Sequence, residues 1–558
     1  MYPDRKNPLI VQGDSTILLE VLNPVFEGAR DSLLRFANLE KSPEYIHTYR
    51  LTSVSLWNAA SSGMKVSDIK GELKRYAKYE IPPNIFIQID EWLTRYGRLR
   101  LLRTDNHLML KADDPDLFLE ITRNIRIKKY IYKEVSDTGA LLVEWSRGQV
   151  KKECIDLGYP VVDMAGYSHG DPCGFDIKDR ISFREYQRDS ISVFMNYEKT
   201  GGSGVIVLPC GAGKTIVGMG IMEQVGETVL VLVTNITAAR QWKRELIDKT
   251  TISEREIGEY SGEVKEVKPV TIATYQILTY RERKGGNFIH LEVLNKQNWG
   301  LVIYDEVHLL PAPVFRFATE VQGKRRLGLT ATLIREDRRE KDVFSLIGPK
   351  IYDMPWKVLE KQGWISGVTC TEVRTELPRE EMQRYALEDN RERFKRASVN
   401  KNKIAIIKFL LSKHKSDNIL IIGHYLKQLE CIAEQWDLPL ITGRMKNTER
   451  DKFYEMFRRQ AIRILVVSKV ANFAVDLPDA NVAVQISGTF GSRQEEAQRL
   501  GRILRPRKSK KAFFYSVVTR NTVEAAFAEK RQLFLTEQGY SYEIISAEDL
   551  LQKTAGLS

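Results

Sequence analysis

GVIVLPCGAGKTIVGMG, residues Gly204 to Gly220, decides how this chain is read. Its first five residues suit a buried strand, Pro209 to Thr215 form a tight turn, and the small and apolar residues that follow suit a helix. Two readings of the turn are open: a cradle for phosphate or an ordinary glycine turn. A phosphate loop needs successive backbone N–H groups aimed at one anion, and a helix whose N-terminus faces it. Gly211, Ala212 and Gly213 leave room for that curl. Lys214 then reaches terminal phosphates and the Thr215 hydroxyl holds Mg²⁺. The match to G-x-x-x-x-G-K-[ST] departs at its first glycine, where Leu208 stands.

A second stretch bears on the choice. WGLVIYDEVH, Trp299 to His308, sets Asp305 and Glu306 at the end of an apolar strand, where parallel sheets bind their ligands. An acid there coordinates the Mg²⁺ bridging the β- and γ-phosphates, and its neighbour polarises the attacking water. Adjacent acids also occur at ordinary solvated strand ends. Together, though, the two stretches point to nucleotide hydrolysis.

Around them the chain alternates short apolar runs with helical stretches. Five candidate strands begin at Val205, Val229, Val270, Leu301 and Leu327, and four more at Ile419, Ile464, Val482 and Ala512. Such alternation implies parallel sheets covered by helices on both faces. The polar stretch from Thr375 to Asn402 separates the two sets, so two α/β domains are expected, with a boundary near Pro355. The first ~110 residues carry helical spacing of apolar residues, with Thr52 and Ser67 as expected N-caps. Pro115 to Pro172 reads as a small α+β module. The expected division is residues 1–112, 113–172, 173–355 and 356–558.

Composition narrows the class. At 558 residues the chain exceeds one ordinary core, and length alone suggests roughly three to four domains. No stretch approaches the ~20 apolar residues of a membrane helix, and the start MYPDRKNPLI lacks a signal peptide's pattern. A soluble, cytoplasmic protein is expected. Five cysteines with no C-x-x-C pair, and seven histidines without ligand spacing, argue against zinc or a disulfide framework. Lys and Arg number 85 against 73 Asp and Glu, a formal charge of +12. That suits a polyanion such as nucleic acid, or simply a solvated basic surface.

The residues resemble superfamily 2 helicases, and within them the XPB-type DNA helicases of repair and transcription. The likeness runs from FREYQ (183) through LPCGAGKT (208), ARQWKRE (239), TIATYQIL (271), DEVH (305), LGLTATLIRED (327) and FSLIGPKIY (344). It continues through SKVANFAVDLPDANVAVQIS (468), GSRQEEAQRLGRILR (491) and EKRQLFLTEQGYSY (529), and IHTYRLTSVSLWNAASSG (46) is similar to the family's amino-terminal region. The resemblance implies two RecA-like domains with ATP between them, after a mainly helical amino-terminal domain and a small damage-recognition-like module. The implied activity is 3′ to 5′ translocation on DNA and its unwinding, in excision repair. Alternatives are a duplex translocase that does not part strands and an ATP-switched damage-sensing clamp.

Residue roles follow from the same resemblance. Gln187, with Arg184, corresponds to the adenine-reading Q motif. Arg502 and Arg505 reach ATP from the second domain, Arg505 as the finger; a basic surface run is the alternative. Thr330, Ala331 and Thr332 link nucleotide state to nucleic acid unless they are only a polar strand end. Asp476 and Gln498 fall with the coupling residues, although Asp476 equally suits a turn cap. Arg335, Glu336 and Asp337 resemble the Arg-Glu-Asp element assigned to strand separation; on the bare residues they read as a solvated loop. Residues 379–400 align with a thumb-like insertion or form a salt-bridged surface helix. Tyr130, Tyr132 and Trp145, beside Arg126, Lys128 and Lys129, either stack on distorted DNA or fill a small core. A repair nuclease or other repair proteins are the implied partners of a monomer, nucleoid-associated if bacterial.

Overall fold

The computed structural model describes residues 4–104, 107–143, 146–165, 169–196, 202–209, 211–278, 280, 290, 297–309, 323–331, 340–364, 367–445, 447–468, 480–488, 512–537, 540 and 542–552. Chain contacts divide it into two compact units. One is Met1–Asn38, Thr48–Leu208 and Gly213–Met354; the other is Leu39–His47, Pro209–Ala212 and Pro355–Ser558.

A seven-stranded sheet organises the first unit. Its order from edge to edge is Ile257–Tyr260, Val270–Thr274, Val229–Val233, Trp299–Asp305, Gly323–Thr330, Ser203–Val207 and Lys350–Asp353. Every pairing is parallel. Strands Ser203–Val207, Val229–Val233 and Val270–Thr274 are buried at all their positions. Both faces are therefore covered, as a parallel sheet requires. Only the last residue of Trp299–Asp305 is less than fully buried, which brings the acid to the open carboxyl end.

The amino-terminal helices and the small module pack in this same unit. Trp57, from helix Ser53–Ser61, sits in a cluster with Val54, Ile155 and Phe344. Asn58 Oδ1 accepts the Lys350 N–H at 2.9 Å, so the helix satisfies a donor on the sheet's edge strand. The small module has a five-stranded sheet ordered Ile131–Ser136, Gly139–Leu142, His107–Ala112, Leu99–Thr104 and Val161–Asp163. Its core runs from Leu99 to Ala165. Tyr130 lies in that core while Tyr132 stays 71% exposed, so the core-filling alternative holds for Tyr130 and not for Tyr132. Trp145 lies outside the described residues.

Two expectations need correction. The division at residue 112 cuts the module's own sheet, because the hairpin Leu99–Thr104 and His107–Ala112 supplies two of its strands. Thr52 caps its helix through a reciprocal pair with Ser55. Ser67 is no cap: helix Val66–Tyr76 is capped at Lys65, whose N–H donates to Asp68 at 2.8 Å. The amino-terminal segment also adds short strands at Leu9–Val11, Thr16–Glu20, Asn38–Lys41 and Ile46–Arg50 among its helices.

The second unit holds another seven-stranded parallel sheet. Its order is Leu440–Ile441, Ile464–Ser468, Ile419–Gly423, Val482–Gln485, Ala512–Thr519, Val368–Thr375 and Tyr542–Ser546. Residues 379–400 contain two helices, Arg379–Leu387 and Asn390–Ser398, instead of the one continuous surface helix. Arg396 bonds both Glu381 and Glu388, and Phe394 is buried. The pair is thus tied to itself and seated by an apolar side chain.

Candidate active site

The phosphate-loop candidate takes its shape from two backbone conformations that an L side chain rarely adopts. Gly211 has φ of 80° and Gly213 φ of 85°, the left-handed region open to glycine. Gly213 also caps helix Lys214–Val225. A Cβ at Gly213 would fall 2.6 Å from Gln187 Nε2, so both conformation and space call for glycine. Gln187 is 5% exposed, and its Oε1 accepts the Arg184 N–H at 2.9 Å. Gln187 therefore caps helix Glu185–Met195 and abuts the loop glycine. Arg184 Nη1 donates to the Tyr186 hydroxyl at 3.1 Å.

Strand pairing brings the acid pair to this helix start. The Leu208 N–H donates to the Thr330 carbonyl at 2.9 Å, and Asp305 pairs in register with Leu329. Lys214 Nζ lies 3.0 Å from Glu306 Oε1, with both side chains largely buried. Glu306 has φ of 49°, a costly conformation for a non-glycine residue, of order 1–3 kcal/mol. Asp305 is held by neighbours on each side. Its Oδ2 accepts the Trp242 indole N–H at 2.8 Å, its Oδ1 the Glu306 N–H at 3.0 Å, and its backbone carbonyl the Tyr275 O–H at 2.7 Å.

These surroundings separate the two carboxyls electrostatically. Burial and the Glu306 charge push Asp305 up to about 6, against the pull of Lys214 and the Trp242 hydrogen bond. Burial works to raise Glu306 as well, but Lys214 and His308 outweigh it and hold it below the usual carboxylate range. The residue beside the lysine thus keeps its charge. His308 adds a second connection: its Nδ1 lies 3.5 Å from Glu306 Oε2 and bonds the Thr330 hydroxyl. Thr330, fully buried, therefore joins the acid turn to the neighbouring strand end.

Lys214, Asp305, Glu306, Gln187, Gly213 and Thr330 are accordingly gathered at one end of the first sheet, with Thr215 in the first turn of the loop's helix. Thr332, Arg335, Glu336, Asp337, Asp476, Gln498, Arg502 and Arg505 lie outside the described residues. Sequence reasoning gave His308 no task and missed Trp242 and Tyr275. Trp242 and Tyr275 meet Asp305, and His308 meets Thr330, from positions distant along the chain.

Comparison with known proteins bears on all of these stretches. The family model of the ERCC3/RAD25/XPB C-terminal helicase matches residues 359–558. The helicase conserved C-terminal domain model matches 9–136, and that of the type III restriction enzyme res subunit matches 180–335. The chain is 49% identical over 547 residues to the DNA 3′-5′ helicase XPB of Mycobacterium tuberculosis, covering 98% of each. Its identity to the protein of the same name in Kineococcus radiotolerans is 46%, over 97% of each chain. It is 31% identical to the general transcription and DNA repair factor IIH helicase/translocase subunit XPB of Danio rerio, over 98% of this chain and 81% of that one. Identity of this order over nearly all of the chain, added to two parallel-sheet domains, places the chain in the XPB-type DNA helicases of superfamily 2.

Proposed function

We propose that this chain binds ATP with Mg²⁺ at the first sheet, hydrolyses it, and uses the cycle to move 3′ to 5′ on DNA and part its strands in nucleotide excision repair. The observation that carries the reading is the Lys214–Glu306 pair at 3.0 Å beside an anchored Asp305. In this arrangement Lys214 neutralises Glu306; the terminal phosphates of ATP compete for the same ammonium. Nucleotide entry then moves the lysine's charge onto phosphate and leaves Glu306 to accept a proton from the attacking water. The backbone N–H groups at the start of helix Lys214–Val225 supply further donors to the phosphates.

Asp305 and Thr215 offer the hard oxygen donors that suit Mg²⁺, which is ordinarily held by one or two carboxylates together with substrate phosphates. Among the described residues no group of three or more His, Cys, Asp or Glu is arranged to hold a metal. When bound, the ion would supply charge neutralisation to the phosphates.

Arg505 supplies the finger from the second domain on this reading. Arg505→Ala lowers turnover on the order of 10³-fold with ATP affinity nearly normal, as single-turnover hydrolysis and nucleotide titration would report. Wild-type turnover in the mutant moves the finger to Arg502 or removes it.

Affinity for DNA rests on Lys and Arg contacts to phosphate, so binding weakens steeply as salt rises and varies little with base sequence. Relatives carry the names of DNA 3′-5′ helicases and of a repair and transcription factor subunit, which supports DNA as the track. On the same reading the protein works as a cytoplasmic monomer with a repair nuclease or other repair proteins. Among the described residues no helix is long and apolar enough to cross a membrane.

The test of DNA-coupled work is Glu336→Ala. A carboxylate beside a polyanion suits a wedge better than an anchor. The mutant is expected to keep most DNA-stimulated ATPase activity and lose much of its strand separation, both measured on one preparation. Equal losses assign the triplet to folding or ATP coupling; no loss in either returns it to a solvated loop.

A further inference from the structure

Trp242 bonds the residue to which the metal is assigned, from an element that has no phosphate-loop or acid-pair residue. It lies in helix Ile236–Lys249, whose start is fixed by Asn235 Oδ1 accepting the Ala238 N–H at 2.9 Å. The indole is 2% exposed. A Cβ added at Gly218, in the phosphate-loop helix, would meet the far edge of the indole at 2.8 Å and Leu329 at 3.3 Å. The ring thus packs directly against that helix at Gly218, and its N–H is held on the acid strand.

Its target is Asp305 Oδ2, at 2.8 Å, while Oδ1 takes the Glu306 N–H at 3.0 Å. A carboxylate has about four acceptor positions, so both oxygens are pinned and each retains capacity for a further partner. A free Asp side chain rotates about its terminal torsion with little hindrance; this one cannot without breaking a charge-assisted bond in a buried setting. Outer partners of this kind set the orientation of a metal ligand, and their loss commonly costs 10- to 100-fold in metal affinity.

We propose that Trp242 is a positioning residue that presets the Asp305 carboxylate for the Mg²⁺ of bound nucleotide. The inference rests on the ATP–Mg²⁺ reading above. It extends the metal site from the two acid-bearing and phosphate-loop elements to the helix after strand Val229–Val233.

The test measures binding of a fluorescent, non-hydrolysable ATP analogue to the full chain, in EDTA and across a Mg²⁺ titration. Two variants are compared: Trp242→Phe, and replacement of Trp242 by benzothienylalanine, which keeps the bicyclic shape and puts sulfur where the N–H was. Expected is a Mg²⁺ midpoint raised about 10- to 100-fold in both, with affinity in EDTA within about twofold of wild type. A purely structural role predicts a different result, equal loss in EDTA and Mg²⁺, and that outcome overturns the proposal. An unchanged Mg²⁺ midpoint in the benzothienylalanine protein overturns it too, even where Trp242→Phe fails to fold. If wild-type binding is itself indifferent to Mg²⁺, the metal–nucleotide reading falls first and the proposal falls with it.

Discussion

Lys214→Ala leaves ATP hydrolysis at background while DNA affinity stays nearly unchanged. The lysine is the cation at the acid pair, 3.0 Å from Glu306, and the charge it places on the terminal phosphates grows in value as the γ-phosphoryl group transfers. Its removal has a second effect, specific to this site. The Lys214 charge is the chief force holding Glu306 below its usual range, and it also restrains the upward shift of Asp305. Without it, among the described residues, the two buried carboxyls keep His308, Trp242 and the backbone N–H groups of Ala331 and Glu306 to favour their charged forms, and one takes up a proton. Loss of phosphate stabilisation and loss of the ionised base therefore coincide. Steady-state phosphate release and DNA binding by anisotropy, on the same preparation, check the result; undiminished hydrolysis refutes the phosphate-loop assignment.

Glu306→Gln separates base from binding. The amide keeps the shape and can still accept from the Lys214 ammonium, and Asp305 retains its bonds to Trp242 and to the backbone N–H of residue 306. ATP and Mg²⁺ binding should persist. Turnover should fall on the order of 10⁴-fold, the upper end of what a positioned proton acceptor contributes. A filter-binding measurement would then find intact ATP trapped on the protein. Loss of nucleotide binding together with turnover would show that Glu306 shapes the pocket instead of activating water.

Why some of this was legible in the sequence and some was not follows from distance along the chain. Gly211 and Gly213 lie within a few residues of Lys214 and Thr215, so the turn chemistry and the helix start are written in one short stretch. Asp305 and Glu306 likewise announce themselves at the end of a continuous apolar run. Trp242 is 63 residues from Asp305 and His308 is 22 from Thr330. Only the parallel packing of three strands, Val229–Val233, Trp299–Asp305 and Gly323–Thr330, brings those pairs together, and no local pattern encodes it. Strand Val368–Thr375 was missed for a different reason. Its buried positions include Thr371, Glu372 and Thr375, polar residues that break the apolar run expected of a covered strand. Glu372 is tolerated there because Arg374 Nε donates to it at 2.7 Å and Gln532 bonds its other oxygen. Strands Ile257–Tyr260 and Lys350–Asp353, at the sheet's edges, have four residues each, too few for a period to register. The hairpin that starts the small module falls before the expected boundary at 112: leucines at 99, 101, 108 and 110 suit a core on either side, and only the pairing of Leu99–Thr104 with Val161–Asp163 commits it.

One measurement bears on the central claim more directly than any mutation of the nucleotide pocket. Purified protein is mixed with a labelled duplex carrying a single-stranded tail at either the 3′ or the 5′ end, and strand displacement is followed with ATP and Mg²⁺, with a non-hydrolysable analogue, and with Lys214→Ala as control. The account predicts displacement on the 3′-tailed duplex with ATP alone, none with the analogue and none with the mutant. Brisk DNA-stimulated hydrolysis without displacement of either duplex would contradict it and leave a translocase that moves along DNA without parting the strands.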